Sequence, residues 1–143
     1  MNRRRFFVII VIISLYQFIN SRMKKFLKNR LADYVGSKSD FSAHFIMFET
    51  FPINNKTDNI KSSRGYFIVN EEGIYYIIGF LHQKINFIPF TSIKKVELTQ
   101  RVGDISLSSR ALYIHIEKDK KLYFFIPKSN TREIFNIIKK GLK

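Results

Sequence analysis

Cysteine is absent from the 143-residue chain. That excludes disulfides, thiolate zinc sites, thiol nucleophiles and lipidation of the lipoprotein type. The six glycines are scattered, so there is no glycine-rich phosphate loop. Three histidines, His44, His82 and His115, lie far apart and form no spaced ligand pair. Acidic residues number only eleven, and Glu71 and Glu72 are the one adjacent pair. They sit in a tight-turn sequence where two carboxylates point apart into solvent, unlike an acid–base pair. Ser62, Ser63 and the serines from Ser106 to Ser109 have no evident base partner. Nothing in these residues supports catalysis, and neither a metal nor a cofactor is expected.

Lysine and arginine are abundant, 25 against the eleven acids, for a formal net charge of +14. Residues 1–40 hold nine basic residues against two acids, and residues 41–143 hold sixteen against nine, so each part carries +7. Half of the excess therefore flanks one hydrophobic stretch, where basic residues have a topological role. The other half is spread over a larger domain and suits an anionic membrane surface or an acidic protein partner. Aromatic residues make up 15% of the chain, too much bulky apolar surface for disorder. Aromatics and lysines interleave in places, but they alternate as a core requires and carry no RNA-recognition signature, which argues against nucleic acid.

The hydrophobic stretch runs from Phe6 to Ile19, between Arg3-Arg4-Arg5 and Arg22, Lys24 and Lys25. It is apolar on every side and so demands burial on every side. As a helix, residues 6–21 span roughly 24 Å against a hydrocarbon core of about 30 Å, a shortfall that snorkelling flanks and local thinning absorb. A cleaved signal peptide shares the basic start and apolar length, but Ile19-Asn20-Ser21 is a poor cleavage site. The expectation is a single-pass membrane anchor over residues 1–21, with the basic C-terminal flank favouring a cytoplasmic domain.

Residues 22–40 follow as a basic amphipathic segment. Met23, Phe26, Leu27, Arg30, Leu31, Tyr34 and Val35 keep i, i+3, i+4 spacing, and Gly36-Ser37 ends the pattern. Two readings stay open. The segment lies on anionic headgroups through Lys24, Lys25, Lys28 and Arg30, or it continues the anchor helix and packs on its own domain.

From Phe41 the period changes to that of strands. Strands are expected over Phe41–Phe51, Gly65–Asn70, Gly73–Phe80, Lys84–Phe90, Ser92–Arg101, Ala111–Glu117 and Leu122–Ile126, with Pro52–Arg64 as a polar loop and Asn70-Glu71-Glu72-Gly73 as a hairpin turn. Asn55-Lys56-Thr57 is a glycosylation sequon, relevant only in an exocytic lumen. A terminal helix is expected after Asn130, capped by Asn130 with Glu133, its apolar face being Ile134, Phe135, Ile137, Ile138 and Leu142. Leu112, Ile114, Ile116, Leu122, Phe124, Ile126, Ile134, Ile137 and Ile138 are expected to form one buried cluster. The fold class is mainly β with a C-terminal α-helix, a small sandwich or barrel closed by that helix.

Three motifs sharpen this. Gly65-Tyr-Phe-Ile-Val-Asn-Glu-Glu-Gly-Ile-Tyr-Tyr, Ile88-Pro-Phe-Thr-Ser-Ile-Lys-Lys-Val and Leu122-Tyr-Phe-Phe-Ile-Pro, followed by the final helix, resemble the pleckstrin-homology-like superfold, and within it the GRAM branch. The resemblance covers residues 41–143. The final helix has no tryptophan, which true pleckstrin-homology domains commonly carry, so the likeness is to the broader superfold. It implies a seven-stranded sandwich or barrel that binds lipid headgroups or protein and does not catalyse. It also implies that the loops between strands one and two, three and four, and six and seven gather at one mouth. Those loops carry Lys56, Lys61 and Arg64; His82 and Lys84; and Lys118, Lys120 and Lys121, the expected anion-binding set. The functional expectation is a membrane-anchored module recognising anionic lipid headgroups or an acidic protein. The alternative is an assembly subunit that packs on a partner membrane protein and has no ligand of its own.

Overall fold

The computed structural model describes residues 2–36, 39–53, 57–79, 83–103, 105–116, 120–126 and 131–142, with the backbone alone at 51–53, 57–59 and 120. The elements are α1 (Arg3–Val35), β1 (Phe41–Ile53), β2 (Thr57–Val69), β3 (Gly73–Ile78), β4 (Lys84–Pro89), a 3-10 turn at Phe90–Ser92, β5 (Ile93–Val102), β6 (Ile105–Ile116), β7 (Lys120–Phe125) and α2 (Thr131–Gly141). The strands form one antiparallel sheet in the order β4-β3-β2-β1-β7-β6-β5. Two meanders, β1–β4 and β5–β7, are thus joined where β1 pairs with β7, Ile46 opposite Phe125 and Glu49 opposite Leu122.

Alternation along the strands puts one set of side chains inside. Phe45 and Met47, Phe67 and Val69, Ile74 and Tyr76, Ile88, Ile93 and Val96, Leu112 and Ile114, and Leu122 and Phe124 come from all seven strands and share one buried cluster. The sheet therefore curls around a single core, as the period of two requires when one face is apolar. Phe124 is its aromatic hub, with ring centroids 4.8 Å from Phe45, 5.7 Å from Phe67 and 5.8 Å from Tyr76. Ile134 and Ile138 of α2 complete the cluster, while Ile116 and Ile137 pack against it only partly buried. The C-terminal end of α2 closes on Phe90, whose ring would overlap any Cβ at Gly141. Glu133 in the first turn and Lys139 and Lys140 in the last suit the helix dipole. The expected cap at Asn130 lies outside the described residues.

Outward-facing side chains of β2 and β3 are apolar as well. Tyr66, Ile68 and Ile77 form a second buried cluster with Leu27 and Leu31 of α1, flanked by Ala32, Val35, Tyr75 and Ile85. Strands buried on both faces read as continuous apolar runs, as Tyr66–Val69 and Ile74–Ile78 do. The cover is α1, which runs unbroken through residue 21. Of the two readings of residues 22–40, the structure shows the continued helix packed on its domain. Part of the expected apolar stripe is not used: Phe26 is 52% and Tyr34 64% exposed. Gly36 ends the helix as expected. It takes φ +88°, costly for any side chain, and donates its N–H to the Ala32 carbonyl at 2.9 Å.

Two strand boundaries differ from expectation. The segment Pro52–Arg64, expected as a polar loop, is mostly strand, because β2 begins at Thr57 and stays in register with β1 from Thr57 opposite Ile53 to Val69 opposite Phe41. Ladder hydrogen bonds are indifferent to side-chain polarity, and the outer part of this hairpin lies beyond β3, which stops at Gly65 opposite Ile78. Likewise β6 starts at Ile105 and not at Ala111. Its first half pairs with the end of β5 across an irregularity between Thr99 and Arg101. The tip of that hairpin reaches β2, where a Cβ at Gly103 would stand 3.2 Å from Ile60 Cδ1. The turn at Asn70–Gly73 is as expected, with Asn70 Oδ1 accepting from the backbone N–H of Glu72 at 2.9 Å.

Phe124→Ala should destabilise the full chain by about 3–5 kcal/mol in a urea titration, as for other large-to-small core changes. A loss under about 1 kcal/mol would mean that Phe124 is not the hub of the core.

Candidate functional site

The direction of α1 fixes what lies near what. Met23 Sδ is 4.0 Å from the Gln83 side-chain nitrogen, and Arg30 donates to Gln83 Oε1 at 2.9 Å. Gln83 immediately precedes β4, so this part of α1 stands beside the β3–β4 connection. Farther along, Tyr34 meets Tyr75 edge-on at 6.2 Å, and Asp40 donates its N–H to the Val69 carbonyl. Those contacts are at the opposite end of β2 and β3, next to the Asn70–Gly73 turn. α1 is therefore antiparallel to β1. Its exposed apolar part, Phe6 to Ile19, leaves the sheet on the side of the β3–β4 connection and of the outer β1–β2 hairpin. Because β7 is antiparallel to β1, the first residue of β7, Lys120, also lies toward that hairpin end.

The anion-binding residues expected from sequence fall on two faces. Directly opposed residues share a face, so Lys61, opposite Glu49, lies on the core-side line of β2. Glu49 also helps raise the buried Tyr76 hydroxyl to about 12, after burial itself, which places its carboxylate toward the inside of the sheet. Lys84, opposite Ile78, stands at the rim of that same face. Lys121, opposite His115, faces outward. Arg64, opposite Ile46, is on the outer face, toward α1. Lys61, Arg64, Lys84 and Lys121 are all exposed. Lys56, His82 and Lys118 lie outside the described residues, as does the side chain of Lys120. Lys24, Lys25, Lys28 and Arg30 are exposed on α1.

Arg64 and Lys24 meet at a feature that sequence reasoning did not identify. A cleft of about 480 Å³ opens between α1 and the outer face of β1–β2. Its α1 wall is Asn20, Met23, Lys24 and Leu27; its sheet wall includes His44, Ile46, Ser62 and Arg64. The backbone is tight beneath it, since a Cβ at Gly65 would collide with the Ile77 carbonyl. His44 packs edge-on against Tyr66 at 4.8 Å. Burial lowers the His44 imidazole from its ordinary value, and the charges of Lys24 and Lys28 lower it further. Two lysines of α1 thus direct their field at this point of the sheet. No acidic residue is among the described residues of the lining. The signal that was available in the sequence is the outward position of Arg64 and His44, which becomes legible only once the β1–β2 register is known.

Elsewhere, Glu72 accepts a hydrogen bond from the Tyr75 hydroxyl at 2.9 Å, and both turn glutamates are exposed. Among the described residues no three His, Asp or Glu side chains group as metal ligands. Neither a protein-family model nor a curated protein matches the chain.

The lowered His44 value has a sign. The unfolded chain binds more protons than the folded one between the folded value and the ordinary 6.5, so stability falls as pH drops below 6.5 and levels off under the folded value. His44→Phe, which keeps a ring against Tyr66, should flatten that part of the stability profile measured in neutral detergent. Identical profiles for the two proteins would show that His44 titrates as it does in the unfolded chain.

Proposed function

We propose that this protein is a single-pass membrane protein that holds a non-catalytic, pleckstrin-homology-like domain on the cytoplasmic face of a bilayer, where it recognises anionic lipid headgroups. The observation that carries this reading is the unbroken α1. One end is long and apolar enough to cross a membrane and is wholly exposed; the other is fastened to the sheet through Leu27 and Leu31. A helix fixed at both ends orients the domain. The end of the sheet that bears the β3–β4 connection and Lys84 turns toward the bilayer, and the turn with Glu71 and Glu72 turns away. A basic end toward anionic lipid and an acidic end away from it is the favourable arrangement.

One observation favours a protein partner as the second reading. On the outer face, beyond the part that α1 covers, Phe48 stands opposite Tyr123, and Tyr123 opposite Tyr113, with ring centroids of the two tyrosines 5.0 Å apart. These aromatics are only half-buried, as in a surface that packs on another membrane subunit.

The absence of cysteine makes the orientation directly measurable. In bilayer nanodiscs, a fluorophore on Lys84→Cys should be quenched strongly by headgroup-attached spin labels, and one on Glu71→Cys weakly. Equal quenching would remove the fixed orientation. Alkaline carbonate should leave the chain in the membrane fraction, with the mature N-terminus upstream of residue 21; release into solution or a start after residue 21 would end the anchor reading.

A further inference from the structure

We propose that the cleft between α1 and the outer face of β1–β2 holds the phosphomonoester headgroup of one anionic phospholipid, gripped between Lys24 and Arg64. This rests on the membrane-anchored reading and adds to it a specific site, apart from the loop end of the sheet. Depth is the first support. Lys24 is five residues beyond Ile19, the last of the apolar run, or about 7–8 Å along the helix. The headgroup layer occupies about that distance outside the hydrocarbon core. The cleft therefore opens where phosphates of the surrounding leaflet lie.

Chemistry is the second. Lys24 offers an ammonium and Arg64 a planar fork of donors suited to phosphate oxygens. Neither has an acidic partner within hydrogen-bonding distance among the described residues. The hydroxyls of Ser62 and Ser63 line the same wall. His44, on the sheet wall, is held below its ordinary value first by burial and then by the charges of Lys24 and Lys28. On the sheet its neighbours are Tyr66, edge-on against its ring, and Arg64 on the same wall of the cleft. An anion with two negative charges offsets the two fixed cations and allows His44 to become the third.

Shape is the last support. Of the remaining lining, Met23, Leu27 and Ile46 are apolar and Asn20 is polar, and above it the exposed Phe18 and Ile19 continue the helix into the hydrocarbon. A basic rim over an apolar wall that leads into the bilayer matches a lipid with its headgroup outward, better than a soluble phosphate that would leave the apolar wall wet. The loop end of the sheet is a poorer anion site, since Glu49 stands opposite Lys61 there.

The test is a titration of the full chain in neutral detergent micelles with short-chain phosphatidic acid, read by native mass spectrometry. One lipid should bind the native chain. Lys24→Gln and Arg64→Gln should each weaken it about tenfold or more, the scale of one charge-assisted hydrogen bond, while Lys94→Gln, an exposed lysine of β5 outside the cleft, leaves it unchanged. Near-ultraviolet circular dichroism checks that each variant is folded, and a second pair, Lys24→Arg and Arg64→Lys, should restore most of the affinity. Binding that is unaffected by both glutamine changes, or weakened equally by Lys94→Gln, overturns the site in favour of diffuse attraction. Displacement of the lipid by equimolar inorganic phosphate overturns the lipid as its occupant, and saturable binding of an acidic peptide in place of the lipid assigns the cleft to a protein. Micelles are used so that the result does not depend on α1 spanning a bilayer: loss of carbonate retention counts against the anchor, and loss of headgroup binding counts against the cleft.

Discussion

The contact of Leu27 and Leu31 with Tyr66, Ile68 and Ile77 governs the rest of the molecule. Without it, α1 is a helix attached by a short connection and free to swing. With it, the helix axis is locked to the sheet, and the direction in which the apolar end leaves becomes a property of the fold. The cleft exists only because of this contact, since one of its walls is the next turn of the same helix. The contact also makes α1 part of the domain. A fragment starting at residue 41 loses the cover over five apolar side chains of β2, β3 and β4, so the natural boundary of the folded unit lies within the helix, upstream of Met23.

The two halves of α1 present two different surfaces. Around the first half every direction is apolar and exposed. Around the second, only the stripe through Leu27 and Leu31 is buried, and Lys24, Lys25, Lys28 and Arg30 face water. The change occurs within one turn of Asn20. In the proposed reading, side chains at the membrane boundary and side chains that line the cleft are the same residues, which is why that reading and the packing cannot be separated there.

Much of this was legible in the sequence where one physical rule dominated. β7 and the second half of β6 alternate cleanly, the Asn70–Gly73 turn has its Asx chemistry, and the face of α2 follows a helical period; these elements lie where expected. The misread segments are those in which the rule was weak. Thr57–Arg64 is polar because it belongs to a hairpin that outruns the core, so hydropathy reads it as a loop while backbone pairing makes it a strand. Phe26 fits the helical stripe but is exposed, and Tyr34 reaches the sheet only at the edge of Tyr75, because the buried stripe of α1 is narrower than the apolar pattern. The cover on β2 and β3 was written in Tyr66–Val69 and Ile74–Ile78, whose unbroken apolar runs call for burial on both faces; which element supplies it is a tertiary fact. The cleft was illegible for the same reason. Lys24, His44 and Arg64 are far apart in sequence, and only the register of β1 with β2 and the antiparallel course of α1 bring them together.

The position of β1 in the sheet has a consequence for the order in which the chain is built. β1 pairs on one side with β2, its immediate successor, and on the other with β7, some seventy residues later. During synthesis the first four strands and α1 are complete while that second edge of β1 is still unpaired, with Phe45 and Met47 lacking the Phe124 and Leu122 that will bury them. Closure of long-separated strands is the slow step in β topologies, and an open edge is the place where chains associate wrongly. The nascent meander therefore has one vulnerable side and one protected side, since α1, made before the strands, already shields the back of β2 and β3 while the front waits for β7.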